Sequence, residues 1–388
     1  MTLQRPPMIR TDHSNAFARL TMKSRVPTII REVHELNPDL PSTMLDALRR
    51  HADAMENNAL IPMIDLPAHD YGDWLPAWIA HRGDTWLNTD WFFAEIYNYR
   101  LLMQIVRWFE LGRDPFAPKK YEELTGTALW ETLDRALATR ALPIEERLVR
   151  MIHFDLWGNR IDLSYAAARA HGSAVGANDL LVDDSMKVTN HLLTTRHKTV
   201  HFILDNAGTE MAIDLALADT LLNGIADRVV MHLKAHPTFV SDAIPADVLI
   251  FLSRLERRSG DAQQLGQRLQ AALDDGRLRL IPDPYWNSTR LFWDLAPHIA
   301  QTLRDAMLVI VKGDANYRRI AGDAMWSPET PFGEVMTYAR VPILALRTLK
   351  SDVVMGLPKG LAEKLEATDA QWRVHGKYGL IQAANLSV

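Results

Sequence analysis

The stretch Thr199-Val200-His201-Phe202-Ile203-Leu204-Asp205-Asn206-Ala207-Gly208-Thr209-Glu210 reads as an apolar strand that ends abruptly in an acid, an amide and a glycine. Three further apolar runs end in the same manner. Val229–Leu233 leads on to Ser241-Asp242, Met307–Val311 runs into Lys312-Gly313-Asp314-Ala315-Asn316-Tyr317-Arg318, and Val341–Leu346 runs into Arg347-Thr348-Leu349-Lys350. Strand candidates at Thr199–Leu204, Arg228–Leu233, Arg277–Ile281, Ala306–Val311 and Val341–Leu346 alternate with helix candidates at Gly208–Asn223, Pro245–Arg257, Ala262–Asp275 and Thr289–Leu303. Nearly unbroken apolar strands alternating with helices predict an α/β fold with a mostly parallel sheet covered on both faces. In open sheets of this kind the ligand sits beyond the carboxyl ends of the strands. Acids, an amide, lysines and arginines at one edge describe a site that holds a metal ion and an anion together, so phosphate chemistry is expected.

Upstream of this pattern, the first ~150 residues read as helix after helix by spacing and caps. Ser42 is read as the cap of a helix that buries Met44, Leu45, Leu48, Ala52 and Met55, and Thr89 as the cap of a longer one from Asp90 to Leu111, stopped by Gly112. Pro115 and Pro118 mark a connector, and Pro143 opens another helical stretch to about Ala170. The division expected is a helical lobe over 1–175 and an α/β domain over 176–388. Tryptophans crowd the first third, Trp74, Trp78, Trp86, Trp91 and Trp108 among them, and are read as bulky packing.

A net charge of −5 leaves no basic footprint for nucleic acid. The absence of cysteine excludes disulfides, zinc–thiolate sites and a thiol nucleophile, and fits a cytoplasmic protein. Residues Met1 to Met22 do not read as a signal peptide, and no apolar run is long enough to span a bilayer. There is no Gly-x-Gly-x-x-Gly after a strand, no P-loop and no Gly-x-Ser-x-Gly elbow. His191, His197 and His201 lack zinc-site spacing, and Asp183-Asp184 reads as an exposed acidic turn.

The remaining residues carry the chemistry. A hard divalent cation wants oxygen ligands, and Asp205 beside Asn206 at a strand end supplies two; a plain strand-end turn is the alternative. Glu210 opens the next helix, where an acid also suits the dipole. Asp242 can complete a metal shell or cap a helix ahead of Pro245. In the loop Lys312–Arg318, Gly313 allows close backbone approach, Asp314 and Asn316 can position a sugar hydroxyl or a metal-bound water, and Lys312 or Arg318 can neutralise phosphate. Arg347 and Lys350 form an anion clamp or, with Asp352, a salt-bridged turn.

At these residues the chain resembles the DUF89 proteins, specifically the ARMT1-like branch of metal-dependent damage-control phosphatases. The matching segments are Asp205–Glu210, Phe239–Asp242, Gly313–Arg318 and Leu346–Lys350, the last holding an Arg-Thr-x-Lys signature. Weaker matches are Glu95–Arg100 and Leu156-Trp157-Gly158-Asn159-Arg160. The resemblance implies a three-layer α/β/α, Rossmann-like sheet with an N-terminal all-helical lobe. It implies Asp205, Asn206 and Asp242 as metal ligands, with Glu210, Asp314, Ala315, Asn316, Tyr317, Arg318 and Lys350 as substrate contacts. Mn²⁺, Co²⁺, Ni²⁺ or Mg²⁺ is the implied activator, and fructose 1-phosphate or fructose 6-phosphate an implied substrate. Ala315 stands where the family usually has leucine, so a reshaped sugar pocket is expected.

The expectation is therefore a phosphatase of small phosphorylated metabolites that depends on a divalent metal, Mn²⁺ first. Asp205, Asn206, Asp242 and Lys350 would be its catalytic set, with Lys312, Arg318 and Arg347 assisting. Residue types leave open whether Asp205 attacks phosphorus or only holds the metal; a metal-bound water is preferred, because a coordinated carboxylate is the poorer nucleophile. No nucleic acid or membrane partner is expected, and the chain is read as a monomer or weak homodimer. The rival readings are an S-adenosylmethionine-dependent carboxyl methyltransferase and a non-catalytic sugar-phosphate-binding protein.

Overall fold

A computed structural model describes residues 4–65, 68–157, 179–195 and 198–386. Gly158-Asn159-Arg160, the stretch to Ala170, the boundary near 175 and His197 lie outside the described residues. The described strands are β1 Leu180–Asp183, β2 Thr199–Ile203, β3 Arg228–Lys234, β4 Leu278–Asp283, β5 Ala306–Lys312, β6 Ile343–Thr348 and β7 Gly379–Ala384. They form one sheet in the order β1-β7-β6-β5-β2-β3-β4. β6, β5, β2, β3 and β4 are mutually parallel, while β7 pairs antiparallel with β6 and parallel with β1. The mostly parallel α/β fold and the helical N-terminus are as the pattern predicts.

Strand alternation explains the two faces. Val309 and Val311 join one apolar cluster, while Leu308 and Ile310 join the other, because successive side chains point to opposite sides of a sheet. The first cluster unites the N-terminal helices with the β5 and β6 face. The second packs the helices Thr127–Ala138 and Ile144–Trp157 together with Thr209–Leu222, Pro245–Glu256 and Gly260–Asp274. Both cores thus draw on residues before and after 175. Trp74, Trp86 and Trp91 are fully buried, as the packing reading expects. No helix among the described residues is long and apolar enough to cross a membrane.

Several local expectations are corrected. Ser42 is the first residue of the helix Ser42–Glu56 rather than its cap. Asp90, not Thr89, precedes the helix Trp91–Ile105, and the Thr89 hydroxyl donates to Asp84 at 2.7 Å. That helix stops short of Leu111 because Arg107 takes φ 54°. The predicted helix Thr289–Leu303 is a single 3-10 turn followed by Pro297–Leu303, since a residue before proline disfavours helical backbone. Asp183-Asp184 is not a free turn: Asp183 ends β1, and the Asp184 carboxylate accepts from the Ala383 amide at 2.9 Å. β1 and β7 escaped the sequence reading because one is four residues long and the other has a single β-branched residue.

A candidate active site at the carboxyl edge of the sheet

Two loops, one after β2 and one after β3, are joined by backbone hydrogen bonds. Ala243 N–H donates to Asp205 O at 2.8 Å and Ala207 N–H to Ser241 O at 2.7 Å, so Asn206 and Asp242 meet as an antiparallel bridge. The second loop reaches this position through strain. Phe239 and Val240 take φ 48° and 71°, and Ser241 N–H donates back to Phe239 O at 2.8 Å. A β-branched residue in left-handed backbone is a genuine outlier, of the kind held only where the surroundings over-determine it. The helix Ala117–Thr125 supplies the tethers: Lys120 Nζ donates to Asp242 O at 2.8 Å, and the Glu123 carboxylate accepts from Thr209 N–H at 2.9 Å.

Two glycines make the approach feasible. Gly208 has φ +80°, and a Cβ there would lie 2.4 Å from the Glu123 carboxyl carbon. Gly313, φ +78°, would place a Cβ 2.0 Å from Asp205 Oδ2. The segment Gly313–Arg318, expected as a loop, is instead the start of the helix Gly313–Ala321. Its uncapped N-terminus abuts the acids.

Asp205 and Asp242 are both buried. The Asn206 amide nitrogen donates to Asp205 Oδ2 at 2.8 Å and to Glu210 Oε2 at 2.9 Å, while Ser241 Oγ donates to Asn206 Oδ1 at 2.5 Å. Burial, then the charges of Asp242 and Glu210, push the Asp205 carboxyl well above its usual range. Burial also raises Asp242, to about 6, against the pull of Lys234 at 3.4 Å and of Lys120. Asp242 Oδ2 is buried, and among the described residues its polar neighbour is Lys234 Nζ, at the long distance of 3.4 Å.

This donor set fits a hard divalent cation: two carboxylates short of positive charge, plus an amide oxygen with a second lone pair to offer. No group of three His, Cys, Asp or Glu side chains able to hold a metal occurs among the described residues, so the amide would be an obligatory member of the set. The raised Asp242 gives a direct expectation. Below about pH 6 its carboxyl takes up a proton that a cation must displace, so Mn²⁺ affinity should fall steeply between about pH 7 and about pH 5, with proton release on binding. Calorimetry in buffers of differing ionisation heat measures both, and an affinity flat across that range removes Asp242 from the ligand set.

The expected cations separate into two kinds. Lys312 lies behind the site, where Nζ meets Asp155 Oδ1 at 2.8 Å, Asp214 Oδ1 at 3.1 Å and Glu210 Oε1 at 3.7 Å. Burial opposes its charge, and Asp155, Asp214 and Glu210 more than offset that. Arg318 borders the cleft but is held by Glu95 at 2.5 Å, by Asp323 at 2.7 Å and over the Trp91 ring. Arg347 is fully buried, donating to Asp314 Oδ1 at 2.7 Å and to Ser351 Oγ at 2.9 Å. Lys350 is different: its side chain is exposed in the cleft with no ion-pair partner among the described residues, while its backbone N–H donates to Asp314 Oδ1 at 3.1 Å.

Of the residues predicted from sequence, Asp205, Asn206, Glu210, Asp242, Asp314, Ala315, Arg318 and Lys350 come together around one cleft. Lys312, Asn316, Tyr317 and Arg347 do not line it. The Asn316 amide bonds Leu204 O and Lys312 O, and the Tyr317 hydroxyl donates to Gln382 at 2.8 Å. These four brace the walls. The helical lobe forms one wall of the cleft, as the sequence reading allowed, but that reading did not place Phe17, Arg25 or Trp91, which line it together with Glu95. The weak match at Glu95 hinted at that wall.

Fold and site together define a class: α/β proteins with an acid–amide–acid cradle and an uncommitted lysine at the carboxyl edge of a mostly parallel sheet. The chain belongs to the damage-control phosphatase ARMT1-like domain family, whose model matches residues 21–365. It is 28% identical to damage-control phosphatase ARMT1 of Xenopus laevis, over 97% of this chain and 98% of that protein. It is 26% identical to damage-control phosphatase ARMT1 of Danio rerio, over 97% of this chain and 96% of that one. A crystal structure of a DUF89 family protein from Pyrococcus horikoshii aligns over 92% of this chain and 97% of its own, with 14% identity and a TM-score of 0.47.

Proposed function

We propose that this chain is a divalent-cation-dependent phosphatase of small phosphorylated metabolites, with sugar phosphates such as fructose 1-phosphate and fructose 6-phosphate as the first candidates. The observation that carries the reading is the pairing of two buried, mutually repelling carboxylates with one uncommitted lysine across a single cleft. The names of the relatives support it. Asp205, Asn206 and Asp242 would hold the cation, Mn²⁺ ahead of Co²⁺, Ni²⁺ and Mg²⁺. When bound, the cation would supply Lewis-acid polarisation of a phosphoryl oxygen.

The chain's own residues do the rest. Lys350 offers positive charge where negative charge builds on the phosphoryl group. The uncapped N-terminus of Gly313–Ala321 adds a favourable dipole beside it. Asp314 stiffens the Lys350 turn by accepting from Arg347, from the Lys350 amide and from Ser351. Burial works to protonate Asp314, but Arg347 and Arg318 hold it below the usual carboxylate value, so it remains an acceptor.

A panel of hexose phosphates and an aryl phosphate, assayed for phosphate release after chelation and again with added cation, tests the proposal. Release is expected only with the cation, with Mn²⁺, Co²⁺ and Ni²⁺ above Ca²⁺. Full activity after exhaustive chelation would remove the cation from the reaction.

A further inference from the structure

Arg25 lines the cleft with a side chain that has no hydrogen-bond or ion-pair partner among the described residues. It arrives on a rare element, the π-helical turn Thr21–Arg25, in which Val26 N–H donates to Thr21 O, five residues back. The cause is legible in Lys23-Ser24-Arg25-Val26-Pro27. Proline lacks the N–H that an α-helix would send back four residues, and its ring crowds that carbonyl, so the turn ahead of it widens. π-turns inside helices occur frequently at functional sites. Here the turn is anchored on both sides, since Thr21, Met22, Val26 and Pro27 are buried while Arg25 itself is exposed to the cleft.

The surrounding charges are committed elsewhere. Glu95, which lines the same cleft, is taken by Arg318, and Glu32, beside the turn in an adjoining groove, by Lys119. Asp314 belongs to Arg347, Glu210 faces Lys312, and Lys234 faces Asp242. Arg25 has no hydrogen-bond or ion-pair partner among the described residues, and shares the cleft with Ser241, Asp242 and Lys350. A bound divalent cation would be held by Asp205 and Asp242. A phosphate monoester dianion then brings two negative charges, and of the cations that line the cleft among the described residues Arg318 is already paired, which leaves Lys350 from the sheet edge and Arg25 from the helical lobe.

We infer that Arg25 is the second phosphate-binding cation of this cleft, gripping the phosphoryl oxygens of the substrate from the helical side. The inference rests on the phosphatase reading above. A guanidinium suits the task because its planar fork binds phosphate oxygens in pairs.

The test compares the parent with Arg25→Ala, Arg25→Lys and the neighbouring surface control Lys23→Ala. Binding of inorganic phosphate to the Mn²⁺-loaded proteins is measured by calorimetry, alongside kcat and KM for an aryl phosphate and a hexose phosphate. Arg25→Ala should weaken phosphate binding by about tenfold or more and raise KM for both substrates by the same factor. Mn²⁺ affinity and melting temperature should stay at parent values, Arg25→Lys should recover part of the loss, and Lys23→Ala should match the parent. Parental phosphate affinity in Arg25→Ala overturns the assignment, as does a KM rise confined to the hexose phosphate, which would put Arg25 on the sugar. Loss of Mn²⁺ affinity that lysine does not restore would mean a structural role and overturns it as well. A parent that neither binds phosphate nor releases it overturns the phosphatase reading and this inference together, an outcome distinct from an active parent with a silent Arg25.

Discussion

Asp242→Ala is expected to lose cation-dependent phosphate release entirely, while its cation-free form melts no lower than the parent. The two halves have one cause. Asp242 sits buried beside Asp205, and its charge, after burial, helps hold Asp205 away from its charged form. Sites of this kind are assembled at some cost to the fold. Deleting one acid relieves the repulsion and leaves Lys234 to face Asp205, while Lys234 keeps its bond to Trp286 O at 2.8 Å. The space opened borders a cleft that water can enter.

The sign of the pH dependence follows. Asp242 is raised in the folded chain to about 6 from 3.8, so its contribution to stability is present at low pH and is lost as pH rises through that window. The cation-free parent should therefore lose stability from about pH 4 to about pH 6, and Asp242→Ala should show a flatter profile. Cation binding reverses the ranking. At about 100 times Kd, Mn²⁺ should stabilise the parent by about 2.7 kcal/mol and the mutant by little. If Asp242 only capped a helix, its loss would cost roughly 0.5–2 kcal/mol without cation and leave the cation response intact. Thermal melts of both proteins, with and without Mn²⁺, separate these outcomes.

Lys350→Ala should reduce kcat/KM by about a hundredfold or more, the scale of losing one preorganised donor to a developing negative charge. Mn²⁺ affinity and the melting temperature should hardly change. Lys350 braces its turn through its backbone N–H to Asp314, which alanine keeps, and among the described residues its side chain has no ion-pair partner to lose. Activity within a few-fold of the parent would make Lys350 part of a structural turn. A matching loss in Mn²⁺ affinity would instead place it against the cradle.

Read locally, the chain already contained most of this architecture. Apolar runs such as Thr199–Leu204 and Ala306–Val311 could be recognised because strands buried on both faces need every side chain apolar, and that is a property of consecutive residues. The acids after them could be recognised too, since the carboxyl edge of a parallel sheet is where strand ends converge. Asp205, Asn206, Asp242 and Lys350 were found by this reasoning, and the structure gathers them within one cleft. The sequence alone thus determined the fold class and the polar residues that meet at its edge.

It could not determine which cations remain free. Lys312, Arg318 and Arg347 look alike in sequence to Lys350, yet each is neutralised by acids the local pattern does not connect to it. The Lys312 bond to Asp155 spans 157 residues and the Arg318 bond to Glu95 spans 223. Among the described residues Arg25 stays unpaired for the complementary reason, because Glu95 and Glu32 are already taken. Charge pairing is a three-dimensional allocation: a carboxylate within about 4 Å decides whether a cation can serve a ligand. That distance is set by how the helical lobe closes over the sheet, and only the tertiary structure decides it.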